Sequence, residues 1–177
     1  MAHRKLTDSE RLLPLTREYL RDVINYDELT GFFTWRKGMS SSAMPGCVAG
    51  NTSHKRGYRR IRINSKNYLA HRLVWFYVHG EWPPNEIDHI NGSTDDNRIC
   101  NLRLATRGQN QQNIRCANRN NKSCGLQGVT WHKKNKKWQA RIRHLGKTIR
   151  LGYFKSAHEA HKKYVEAKRK IHEFCTI

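Results

Sequence analysis

DHINGSTDDNRICNLRLATRGQN, residues 88 to 110, decides how this chain is read. Asp88 and His89 stand side by side, with Asn101 twelve residues after the histidine and Asn110 nine further on. Breaking a phosphodiester needs a water deprotonated beside the phosphorus and a cation to neutralise charge on the leaving oxygen. Mg²⁺ takes oxygen ligands and keeps several waters, so Asp88 and the side-chain oxygen of Asn110 suit it. Neighbours on a strand point to opposite faces. Asp88 and His89 therefore need a strand end to share a site, and Ile90-Asn91-Gly92 supplies one. His89 also needs a second group to fix its tautomer. Asn101 is placed to brace the loop or His89 from behind.

Around this stretch the pattern predicts a strand over 86–91, a loop over 92–100, a strand over 101–105 and a helix over 107–114. Upstream, TREYLRDVIN (16–25) carries Tyr19, Leu20, Val23 and Ile24 at helical spacing, with Thr16 as N-cap. Asn25 to Gly31 reads as a turn, Phe32 to Arg36 as a strand, and 37–56 as a long loop. Residues 60–64 alternate apolar and basic side chains, and Ser65 to Asn67 reads as the turn of a hairpin. HRLVWFYVHG (71–80) reads as a short buried helix ending at Gly80, before Trp82-Pro83-Pro84 breaks the chain. His71 opens that helix and reads as a capping or packing histidine rather than a phosphate or metal contact.

The chain has 177 residues and carries 34 Lys and Arg against 14 Asp and Glu, a net charge of +20. Such an excess implies an anionic partner, with nucleic acid the default. No apolar run approaches the roughly 18 residues that span a bilayer, so no membrane partner is expected. The opening MAHRKLTDSERLLPL lacks the apolar core of a secretion signal, and a cytoplasmic location is expected. Five cysteines, none in a C-x-x-C pair, read as free thiols rather than as a zinc site of Cys100, Cys116, Cys124 and a histidine.

Residues 1–15 read as a flexible N-terminus and 115–124 as a basic linker. After it the grammar changes. Three short strands with turns at KKNKK and LGKT precede one amphipathic helix, opened by a Ser156/Glu159 capping box. Its apolar stripe is Ala157, Ala160, Tyr164, Ala167 and Ile171. In WQARIR, Trp138, Ala140 and Ile142 point toward that helix. Gln139, Arg141 and Arg143 point outward, where such a ribbon can enter a major groove.

Two resemblances follow. DHING…DNRICNLRLATRGQNQQN resembles the HNH endonuclease family, in the phage and intron-associated branch whose last motif histidine is replaced by Asn. With the lead-ins YDELTGFFTWRK and YLAHRLVWFYVHGEWPPNEID, the likeness runs over roughly residues 19 to 114. It implies a ββα-metal fold within an α+β chain, with a nuclease domain over 16–114 and its core near 86–114. It implies His89 as general base, Asp88 and Asn110 as ligands of one Mg²⁺ or Mn²⁺, Asn97 and Asn101 as scaffold, and Asn113 as a helix residue facing the DNA or the site. Residues 125 to about 171, within an expected domain over 125–177, are similar to the Apetala-two (ethylene-response-factor) DNA-binding domain, a three-stranded antiparallel sheet on one helix that reads DNA with the sheet. Here Gln127, Thr130, His132, Arg141, Arg143 and Arg150 fall at its reading positions. The family often has Arg where Gln127 stands, so no base preference carries over. Arg59, Arg60, Arg62 and Gln139 are further candidate DNA contacts.

The combined expectation is a phage homing endonuclease cutting double-stranded DNA, as a monomer or a dimer on DNA, to 5′-phosphate and 3′-hydroxyl ends. The alternative is a catalytically inactive DNA-binding regulator on the same fold.

Overall fold

A computed structural model of the chain describes residues 14–38, 40, 43–52, 57–117, 121 and 123–177. Most of the expected flexible N-terminus, part of the 37–56 loop and part of the 115–124 segment lie outside the described residues. The architecture is mixed α and β, with small antiparallel sheets, as an α+β chain requires. The chain divides into two compact units, residues 1–104 and 105–177.

The first unit opens with α1, Arg17–Val23, capped by Thr16, whose side chain accepts the Tyr19 amide. The helix stops earlier than its periodicity suggests, because Ile24–Tyr26 is a strand, β1, and not the start of a turn. Alternation decides this: Ile24 and Tyr26 are buried while Asn25 is exposed. β1 pairs antiparallel with β2, Phe33–Trp35. Asp27 closes the turn between them, accepting the Leu29 amide and the Thr30 hydroxyl.

β3, Arg60–Ile63, and β4, Lys66–Leu69, form the expected hairpin, but the turn is Asn64-Ser65, not 65–67. Both residues have positive φ, 48° and 65°, as a two-residue turn of this hand needs. Helix α2, Ala70–His79, follows directly and ends at Gly80 in the left-handed conformation. Arg17 donates to the Tyr77 and Val78 carbonyls at that end, satisfying acceptors the helix leaves open. One core joins these pieces: Leu20, Ile24, Phe33, Ile61, Leu73 and Val74 are all fully buried. Each such side chain contributes about 1.5–3 kcal/mol by leaving water.

β5, Glu86–His89, pairs with β6, Leu102–Ala105. Both are shorter than expected. A single 3₁₀ turn, Ile99–Asn101, occupies the start of the expected second strand.

The second unit contains helix α3, Arg107–Gln112, then β7 (Val129–His132), β8 (Lys137–His144) and β9 (Lys147–Phe154) in an antiparallel sheet ordered 7-8-9. Helix α4, Ala157–Ile171, packs on the sheet and starts with the Ser156/Glu159 capping box. Its buried residues are Ala160, Tyr164 and Lys168, so a lysine completes the stripe where Ala167 and Ile171 are only partly covered. Gly128 has φ 75°, and a Cβ there would lie 2.0 Å from the Tyr164 ring. Only glycine lets the chain cross the helix so closely.

Candidate active site

Asp88 and His89 end β5, and both are buried at 4% exposure. The loop that follows turns at Gly92, φ 74°, whose amide returns to the His89 carbonyl. A dense polar network holds this loop. Asn101 is buried: its Oδ1 accepts the Asn91 amide, and its Nδ2 donates to Asn91 Oδ1 and to the Asp96 carbonyl. Its own carbonyl accepts the Ile90 amide. Asn91 Nδ2 donates to Asp96, and Arg98 forks onto both oxygens of that carboxylate. The guanidinium holds Asp96 down at about 2.

Asn97 is wholly buried within the loop. Its Nδ2 donates to the Asp95 carbonyl at 3.1 Å, which turns Oδ1 toward His89 Nε2, 3.3 Å away. A carboxamide oxygen only accepts, so His89 carries its proton on Nε2, and Nδ1 becomes the basic nitrogen of the ring. Burial pushes the imidazole below its ordinary pKa, against smaller opposing effects from Asn97 and nearby aspartates. His89 is therefore neutral at neutral pH, the form a proton acceptor requires. His71 stands edge-on to it, with ring centroids 5.1 Å apart, and Tyr58 packs on both rings. His71 is itself buried, and desolvation, His89 and Arg72 push it down to about 3. It packs as a neutral wall.

Three contributors were missed in reading the sequence. Tyr26, far away in sequence, donates its hydroxyl to the Asn97 carbonyl and accepts the Ile99 amide. Burial raises that phenol to about 12, so it stays a donor. Gly31 sits so close beneath the loop that a Cβ would lie 2.4 Å from the Arg98 amide. Arg103, on β6, is the third: its Nε and Nη2 lie 2.9 and 2.7 Å from Asp88 Oδ2. The basic residue after Asn101-Leu102 was a visible cue, but only strand pairing shows which acid it meets.

Of the first-unit arginines, Arg60 and Arg62 are exposed on β3. Arg59, expected as a DNA contact, has partners within its own unit. Its Nε and Nη2 donate to the two Asp95 carboxylate oxygens at 2.9 Å, its Nη1 donates to the Gly50 carbonyl, and the guanidinium lies over the Phe32 ring. That side chain is committed to holding the loop.

Asn110 and Asn113 belong to the second unit, Asn110 on α3 and Asn113 as its C-cap. Thr106 and Gln109 form a capping box at the other end. On the sheet, Thr130 faces Gln139 across β7–β8, and Arg141 faces Arg150 across β8–β9. Arg141, Arg143 and Arg150 are exposed. Gln139, expected outward with the arginines, is buried and donates to the Tyr153 hydroxyl at 3.2 Å. His132 packs edge-on to the same Tyr153 ring. Gln127 is not on the sheet: its amide donates to the Ile114 carbonyl and accepts from Lys168.

Among the described residues, no group of three or more His, Cys, Asp or Glu side chains gathers to hold a metal ion. A hard ion that keeps its waters needs only one or two protein oxygens. The buried Asp88 carboxylate, already facing a cation, is chemically suited to be one. No helix among the described residues is long and apolar enough to cross a membrane.

The strand pair, the loop braced by asparagines and the buried histidine agree with comparison to known families: residues 68–112 match the HNH endonuclease model. The chain carries an HNH endonuclease domain over those residues. It is 33% identical over 96 residues to Protein 3.8 of Escherichia phage T7, a span covering 54% of this chain and 72% of that relative. No solved structure matches the chain.

Proposed function

We propose that this protein is a metal-dependent DNA endonuclease with His89 as its general base. One observation carries the reading: a buried imidazole that meets the Asn97 carboxamide oxygen at 3.3 Å, at the strand end of an HNH motif. His89 Nδ1 would take the proton of the attacking water. Asn97 would steady the imidazolium that results, and Tyr26 and Asn101 would keep the loop from yielding. Asp88 and Asn110 would hold one Mg²⁺ or Mn²⁺, with Arg103 giving up its place on Asp88. When bound, such an ion supplies Lewis-acid stabilisation to the phosphate and the leaving 3′ oxygen. Products would carry 5′ phosphates and 3′ hydroxyls. In this reading, residues 86–114 are a ββα-metal core within a nuclease domain over 16–114.

Residues 125–177, joined through 115–124, are proposed as an Apetala-two-like module that binds double-stranded DNA with its sheet. The supporting observation is the Arg141–Arg150 cross-strand pair beside Arg143. Like charges placed opposite each other destabilise a free sheet, and a phosphate backbone relieves that repulsion. Arg60 and Arg62 would add phosphate contacts from the first unit. The proposed biological role is that of a phage homing endonuclease, acting as a monomer or a dimer on DNA.

A second reading, a DNA-binding protein without activity, draws on the Asp88–Arg103 ion pair, which occupies the carboxylate with a side chain. Plasmid cleavage with Mg²⁺ or Mn²⁺ separates the two. Cleavage by the wild type and its loss in His89→Ala, with gel retardation unchanged, supports the enzyme. Retardation of intact plasmid by the wild type itself sinks it.

A further inference from the structure

Helix α3 lacks the usual means of staying helical. It has six residues, RGQNQQ, and none is buried. A helix this short is unstable alone, and helices in proteins are normally held by an apolar face. The capping box secures only its N-terminal end.

Its other end is held by residues far downstream in the same unit. Lys168, 1% exposed, donates its ammonium to the Ile114 carbonyl and to Gln127 Oε1. Gln127 Nε2 donates to the same Ile114 carbonyl at 3.0 Å. The Phe174 amide donates to Gln112 Oε1 at 3.3 Å, and the Thr176 hydroxyl to Asn113 Oδ1 at 2.6 Å. Arg115 returns the contact by donating to Thr176 Oγ1. Four consecutive residues, 112 to 115, are thus gripped by the last turn of α4, the segment after it and the approach to β7. A buried lysine is costly unless its hydrogen bonds are made. Here the bonds it makes are those that hold α3.

We propose that Lys168, Gln127 and the 174–176 segment form a clamp that positions α3, and with it Asn110. The C-terminal module is then a positioning element of α3, the helix that carries Asn110, in addition to any DNA-binding role of its sheet. The metal-related half of this inference rests on reading Asn110 as an ion ligand.

The test uses the full chain, with hydrogen exchange of α3 amides in metal-free protein and Mn²⁺ affinity by electron paramagnetic resonance. Thr176→Val removes the hydroxyl at nearly constant shape, and Thr176→Ser restores it. Loss of one net hydrogen bond speeds exchange by roughly five- to tenfold. The expected result is that much faster exchange in α3 for Thr176→Val, with β7–β9 unchanged, weaker Mn²⁺ binding, and both reversed in Thr176→Ser. Deleting residues 173–177 should exaggerate the effect. Unchanged α3 exchange in both variants, or equal loosening of α3 and the sheet, overturns the clamp. Asn110→Ala separates the two layers. If it leaves Mn²⁺ affinity intact while α3 still responds to Thr176→Val, the ligand reading fails, and the clamp stands as a support of α3.

Discussion

His89 Nε2 and Asn97 Oδ1 face each other at 3.3 Å inside the protein, and the Asn97 amide is locked in that sense by the Asp95 carbonyl. A neutral carboxamide orients the imidazole without charging it. That is the useful arrangement for a base that must be unprotonated before the reaction and protonated after it. His89→Ala should slow cleavage by about 10²–10⁴-fold, the usual span of general-base catalysis, with little change in DNA affinity.

The pH profile should follow the same pair. Burial lowers the His89 pKa beneath its ordinary 6.5, so the midpoint of the rising acid limb of kcat/KM should lie below that pH. Asn97→Asp would place a carboxylate against the ring, favour the imidazolium and move the acid limb to higher pH. Profiles of the two proteins over pH 5 to 9 check this, and coincident limbs would refute the pairing.

Asp88 and Arg103 make a pair whose acid is almost fully buried. Arg103→Gln leaves that carboxylate without its cation, which costs about 1–3 kcal/mol or more of stability. If Asp88 is an ion ligand, Mn²⁺ should recover much of the loss, raising Tm more in Arg103→Gln than in the wild type. Thermal melts with and without Mn²⁺ supply the comparison. Equal Mn²⁺ effects would count against Asp88.

Asp96 gives a stability prediction. Arg98 holds its folded pKa at about 2, below the ordinary 3.8. A depressed carboxylate stabilises the fold above its unfolded pKa, and the contribution fades as pH falls toward the folded value. Wild type should exceed Asp96→Asn in urea midpoint by a constant amount above pH 4. The gap should close between about pH 4 and 2. A gap that persists at pH 2 would mean the loop is held by something other than this charge.

On the sheet, Arg141 and Arg150 oppose each other. Arg150→Thr should relieve repulsion in the free protein, raising stability by a few tenths of a kcal/mol, roughly the lower end for cross-strand pairs. It should also weaken DNA binding uniformly and reduce the salt slope by about one. Titrations between roughly 50 and 200 mM salt measure both changes, and a flat salt response would contradict the charge argument for the whole chain.

Much of this protein was legible in its residues because the signals are local. Charge excess, strand alternation, the Ser156 capping box and the Asp88-His89-Ile90-Asn91-Gly92 strand end all depend on neighbours within a few positions. Boundaries moved where pairing overrode periodicity, as when Ile24–Tyr26 left the helix to meet Phe33–Trp35. The sequence alone determined the family motif and the kind of chemistry its side chains can do. Only the tertiary structure decided how they are held. Tyr26 reaches the Asn97 carbonyl across 71 positions, and Thr176 reaches Asn113 across 63. Arg59 is claimed by Asp95 and Arg103 by Asp88. A long polar side chain has many possible partners in a sequence. Which one it meets is set by the burial of the apolar elements that carry both.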